Sequence, residues 1–82
     1  MKQDLRSLNT LRLGREGRVR ALICDGVIRR RMLDLGLIED TLVEVLYKSP
    51  SGDPTAYYIR GAVIALRSEE ASKILIEPEN TL

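Results

Sequence analysis

The chain reads Arg18-Val19-Arg20-Ala21-Leu22-Ile23-Cys24 and then, without a linker, Asp25-Gly26-Val27-Ile28-Arg29-Arg30-Arg31-Met32-Leu33-Asp34-Leu35-Gly36. The change of period between these two stretches decides the fold. The first alternates, with Val19, Ala21 and Ile23 on one side and Arg18, Arg20 and Leu22 on the other, as a half-buried strand requires. The second repeats at i, i+4 and i+7 through Ile28, Met32 and Leu35, which makes one apolar stripe of a short helix. Asp25 is placed to cap that helix and Gly36 to end it in a left-handed turn.

Upstream, Met1 to Arg6 are mostly polar and charged and predict a loosely held terminus. Leu8, Leu11 and Leu13 then lead into Gly14-Arg15-Glu16-Gly17, a turn signal with two glycines able to take positive φ. Downstream, Thr41 to Tyr47 predicts a strand whose two faces are both largely apolar, so the helix is expected to cover one of them. Ser49-Pro50-Ser51-Gly52-Asp53-Pro54 is a connection, because its prolines lack ladder donors. Ala56–Arg60 and Val63–Arg67 form a hairpin around Gly61. Ser68-Glu69-Glu70-Ala71 predicts one helical turn capped by Ser68, and Ile74 with Ile76 a last strand before Pro78. About five short strands, one helix after the first and a helical turn before the last suit a small closed or nearly closed β-barrel, not a parallel α/β sheet. Closure would remove the strand edges that threaten so aliphatic a chain.

Eighty-two residues supply one core and hence one domain, 1–82. That core is aliphatic: Phe and Trp are absent and the aromatics are Tyr47, Tyr57 and Tyr58. Cys24 stands alone, so the fold has no internal disulfide, consistent with a reducing compartment. The longest apolar run, Ala62 to Leu66, is far below the roughly 20 residues that span a bilayer, and no secretory signal is recognisable; the chain is expected in the cytoplasm. Residues 1–31 carry nine basic and three acidic side chains and the remainder four and nine, a polarity that orients encounters if the two sets separate in space.

Histidine is absent, which removes the commonest general base and the commonest transition-metal ligand. No phosphate-cradling glycine motif is present, and Cys24 reads as a small hydrophobe within the first strand. The carboxylates Asp34, Glu39, Asp40, Glu44, Asp53, Glu69 and Glu70 have no EF-hand spacing; Glu39-Asp40 reads as a turn and Glu69-Glu70 as a helix start. Neither catalysis, a cofactor nor a dedicated metal site is expected. Arg29-Arg30-Arg31 is either solvated helix cover or a basic docking face for carboxylates or phosphates. Few aromatics and near-neutral charge argue against nucleic acid. Leu33, about 100° from Met32 around the helix, either wedges against a strand or stays exposed, and burial is the favoured reading.

These pieces together form a recognisable pattern. Leu8-x-x-Leu11-x-x-Gly14-x-x-Gly17-x-Val19, then Arg29-Arg30-Arg31-Met32-Leu33-Asp34-Leu35-Gly36-Leu37, Val43-Glu44-Val45, Ser49-Pro50-Ser51-Gly52-Asp53-Pro54, Ile59-Arg60-Gly61 and Ile64-Ala65-Leu66-Arg67-x-x-Glu70-Ala71 resemble the FeoA family almost from end to end. Glu39-Asp40 departs from it, since the family more often has Pro-Gly there. The resemblance implies an SH3-like barrel, also similar to the C-terminal domain of DtxR-type iron-dependent repressors. It implies a cytoplasmic accessory of ferrous iron uptake that works at the inner membrane face with the FeoB transporter, whose cytoplasmic part binds GTP. Met1, with no helix-turn-helix region before the barrel, favours a stand-alone protein. The helix face and its exit, Arg29, Arg30, Arg31, Leu33, Leu35 and Leu37, are the expected partner-binding residues. The alternatives are a metal-responsive regulatory module and a small nucleic-acid-binding barrel, and an unpaired aliphatic edge strand could pair with its own copy.

Overall fold

The alternating runs become strands where one face of each can be buried. A computed structural model of the chain describes residues 4–79. In order they form β1 (Arg6–Ser7), a 3-10 turn (Leu8–Thr10), β2 (Glu16–Leu22), α1 (Gly26–Asp34), β3 (Leu42–Lys48), β4 (Thr55–Ile59), β5 (Ala62–Leu66), α2 (Ser68–Ala71) and β6 (Ile74–Pro78). All the strands join one antiparallel sheet in the order β1-β6-β2-β3-β4-β5. Six strands stand where the sequence predicts five. The extra one is β1, because Arg6 and Ser7 pair with Ile76 and Leu75 although nothing in their side chains signals a strand. Arg6 is therefore held in the sheet rather than loose; Met1 to Gln3, also expected to be loose, lie outside the described residues.

The hydrogen-bonded ladder does not close, so β1 and β5 remain as edges; of the two forms the sequence allows, closed or nearly closed, the barrel is the second. The sheet curls enough to bring their continuations together. The 3-10 turn follows β1, α2 follows β5, and Asn9 Nδ2 donates to Ser68 Oγ at 3.1 Å between them. Inside the curl lie Leu8, Val19, Met32, Leu37, Val43, Val45, Tyr57, Ile59, Leu66, Ile74 and Ile76, all essentially inaccessible to solvent. Of the nine residues of α1, Met32 alone is buried, and it joins this inner cluster. Leu42 and Leu46 on the outer face of β3 stay half-buried, and the one buried residue of α1 joins the inner cluster.

Two bulges reset the side-chain phase. In β2, Val19 pairs with Ile76 and Ala21 with Leu75, which leaves Arg20 as the additional residue. A single extra residue moves every following side chain to the opposite face. Ala21 and Ile23 consequently face solvent, while Leu22 and Cys24 pack against the core, the reverse of the simple alternation. A second bulge between Val45 and Tyr47 leaves Tyr47 exposed.

Local chemistry fixes the turns. Arg60 and Gly61 both take left-handed φ, 49° and 85°, as a two-residue hairpin loop demands. Gly17, expected in a turn, sits inside β2 facing β6: a Cβ there would stand 2.9 Å from Ile76 Cδ1, so it serves close strand packing. Ser68 is the first residue of α2 and not its cap; that position belongs to Arg67, whose N–H donates to Glu70 Oε1 at 3.0 Å.

Candidate functional site

Helix α1 begins directly after the bulged strand, and the burial of Met32 fixes how it is turned. At about 100° per residue the direction opposite Met32 falls on Val27, Arg30 and Asp34, spaced i, i+3 and i+7. Val27 is 85% exposed, the highest value among the large hydrophobic residues; Leu33, on the far side of Arg30, and Ile28, nearer the Met32 direction, are also exposed. Ile23, just before the helix, is exposed as well. Val27 and Leu33 lie about 60° to either side of Arg30 around the helix, so exposed aliphatic groups flank a cationic one there.

The three arginines are not equivalent. Arg29 Nη1 donates to the carbonyls of Leu22 at 3.2 Å and Cys24 at 3.5 Å, tying α1 to the end of β2. Arg31 pairs with Glu70, the same carboxylate that caps α2, and so links the two helices. Arg30 makes no ion pair among the described residues. It is the guanidinium of the run that remains available.

The structure divides the expected binding residues. Arg29, Arg30, Arg31 and Leu33 lie on the surface, and Leu33, for which burial was favoured, is exposed because it lies to the side of the one buried direction, that of Met32. Leu35 is half-buried and packed against the core. Leu37 is completely buried: its N–H donates to Met32 O at 3.0 Å, and Gly36, at φ +97°, turns the chain inward there. Leu37 therefore belongs to the core and not to a docking surface. Val27 and Ile23 were missing from the sequence-derived set. The angular position of Val27 opposite Met32 was the available signal; Ile23 needed knowledge of the β2 bulge.

Part of the uneven charge along the sequence is taken up by internal pairing. Arg18 reaches Glu79 at 3.3 Å, Arg20 reaches Asp40 and Glu77 at 2.9 Å each, and Arg31 reaches Glu70. The hydrogen bonds that Arg20 donates to Glu77 and Asp40 push its pKa further up. Cations of the first third thus meet anions of the rest, so opposed patches do not form from these residues. On the outer face of the sheet Glu16 stands opposite Glu44, with Tyr58 opposite Glu44 on the other side. Among the described residues no group of three or more metal-ligating side chains is assembled, and no helix is long and apolar enough to cross a membrane.

Comparison with known proteins places this geometry. A family model described as FeoA domain matches residues 6–78. A curated relative, the Fe(2+) transport protein A/Fe(2+) transporter FeoB fusion protein of Porphyromonas gingivalis, is 36% identical over 52 residues, 63% of this chain but 6% of the relative. The chain thus corresponds to a small part of that protein. The structure of a FeoA-like protein from Clostridium acetobutylicum superposes with a TM-score of 0.89 at 29% identity, covering 100% of this chain and 94% of that one. FeoA of Stenotrophomonas maltophilia, solved with zinc and described as a prokaryotic SH3 domain protein, gives 0.77 at 26% identity, covering 85% and 87%. A manganese-dependent transcriptional repressor gives 0.84 at 22% identity over 96% of this chain and 44% of its own, a likeness of fold alone.

Proposed function

This chain belongs to the FeoA family, and from that premise we propose that it is a non-catalytic accessory of ferrous iron uptake. It acts at the inner face of the membrane by binding the cytoplasmic GTP-binding domain of a FeoB-type transporter. The observation that carries the reading is the water-facing side of α1: Val27 and Leu33, both exposed, on either side of an uncommitted Arg30. Arginine among large aliphatic groups is the composition of protein interfaces, where a few such residues supply most of the affinity. Arg29 and Arg31 set the orientation of the helix through the Leu22 and Cys24 carbonyls and Glu70. The related protein in which transport protein A and FeoB share one chain supports the pairing, because a covalent link raises the effective concentration of two modules that already associate. A chain without histidine supports a binding role over turnover.

The test is a double substitution, Val27→Asp with Arg30→Glu, at positions whose exposure leaves the core untouched. Titration calorimetry against the transporter's GTP-binding domain should show affinity weakened by about tenfold or more, since truncating an interface anchor costs on the order of 1–2 kcal/mol. Arg12→Glu, on another surface, should leave affinity unchanged. Equal affinity of the double variant and the parent protein refutes the α1 surface.

A further inference from the structure

Strand β5 lies at the edge of the sheet, and among the described residues it pairs with β4 only. The Arg60-Gly61 loop makes Ile59 and Ala62 the closing, hydrogen-bonded pair of the hairpin. Antiparallel alternation then commits the backbones of Ala62, Ile64 and Leu66 to β4 and turns those of Val63 and Ala65 outward. The strand exit offers nothing more: Arg67 N–H donates to Glu70 Oε1 at 3.0 Å and its carbonyl accepts from Ala71 N–H at 2.9 Å. The open edge is thus two N–H and two C=O groups, aligned along an extended strand.

This edge lacks the usual protections. Ala-Val-Ile-Ala-Leu holds no charge and no proline, and its register with β4 is unbroken, whereas short length, charges, proline and bulges are how natural edges avoid pairing. The opposite edge, β1, is blunted by being two residues long. On β5, Ala62, Val63 and Ala65 are all exposed, and Tyr58, exposed too, stands opposite Val63 on the outer face.

We propose that β5 pairs with β5 of a second copy of this chain, antiparallel, about a twofold axis through Ile64. In that register Val63 exchanges both hydrogen bonds with the partner's Ala65, and Ala65 with the partner's Val63, so all the outward groups are used. Moving the register either way brings in Gly61, which lies in the turn, or Arg67, whose N–H and C=O are already engaged, and half the bonds are lost. On the outer face Val63 meets the partner's Ala65, a larger residue against a small one, and at the axis the half-buried Ile64 meets the partner's Ile64, a β-branched cross-strand pair. A twofold axis duplicates each contact that lies off it, and none involves α1.

Sedimentation velocity on the full chain over a concentration series measures the association, and two charge patterns test the register. Val63→Glu with Ala65→Glu places carboxylates opposite each other twice and should raise the dissociation constant by about tenfold or more. Val63→Lys with Ala65→Glu places each lysine against the partner's glutamate and should return it to within about threefold of the parent value. Both positions are exposed, and far-UV circular dichroism confirms folding. The parent protein gives an independent reading: amide exchange at Val63 and Ala65 should slow as concentration rises, while that of Ile64, already bonded to β4, should not. A chain monomeric up to about 1 mM overturns the proposal, as does a dimer indifferent to both patterns, equal weakening by both, or an edge that a strand of another protein occupies while the chain stays monomeric.

Discussion

Replacing Gly17 by alanine tests how closely β2 and β6 approach. The new methyl would stand 2.9 Å from Ile76 Cδ1, 3.3 Å from Ile76 Cβ and 3.4 Å from the Glu77 carbonyl oxygen. Ile76 is fully buried, so its terminal methyl cannot swing into solvent, and the Cβ and carbonyl contacts belong to atoms that move only with the backbone. Overpacking of this kind costs about 1–3 kcal/mol, and alanine recovers about 0.5–1 kcal/mol through its smaller loss of backbone freedom. The net expectation is a loss of about 1–2 kcal/mol, read as a lower urea midpoint and, for a domain of this size, a melting temperature lower by about 4–8 °C per kcal/mol. Ile76→Val removes the Cδ1 atom that clashes, at about 0.5–1.5 kcal/mol on its own. In the double variant the two losses should fall short of their sum by about 1 kcal/mol, because the new methyl occupies the vacated space. Additive losses, or a Gly17→Ala protein as stable as the parent, would refute the close-approach argument.

Met32→Ala should cost about 2–5 kcal/mol in urea unfolding. Because Met32 is the one buried residue of α1, amide exchange in that helix should rise more than in β4. Burial pushes the Tyr57 hydroxyl pKa above its ordinary 10.0, offset in part by a hydrogen bond with Thr55. The folded protein then keeps a proton that the unfolded chain has lost, so stability holds below about pH 10 and declines as pH rises through that value. Urea midpoints between about pH 8 and pH 11 should show the decline in the parent and a shallower one in Tyr57→Phe.

The reading of α1 illustrates how far pattern carries and where it stops. The i, i+4, i+7 stripe located the helix and identified Met32 as its inward residue. Of the stripe's other members, Ile28 is exposed and Leu35 half-buried, because a nine-residue helix at the margin of a small barrel has room to bury little more than one side chain. Leu33 and Leu37 differ by four positions and both looked available for docking. The left-handed Gly36 between them sends one outward and the other into the core, a choice that depends on what the chain meets after the helix ends. The arginine triplet was visible as a charge run, yet only positioned acceptors, the Leu22 and Cys24 carbonyls and Glu70, separate Arg30 from its neighbours.

Much of the architecture follows from the sequence alone, since period, turn residues and aliphatic composition are local properties. They produced the strand–helix–strand order, the hairpin at Gly61 and the family resemblance, and composition showed a chain without histidine. The tertiary structure decided whatever depends on partners distant along the chain. A two-residue strand exists because β6 is there to pair with it, and a bulge at Arg20 turns Ile23 outward because β6 is one residue short against β2. The positive first third is partly balanced by Asp40, Glu70, Glu77 and Glu79 only after folding brings them close, and β5 is an edge because the ladder ends there. Local rules assign each residue a conformation; which face meets water is set by what else the folded chain places beside it.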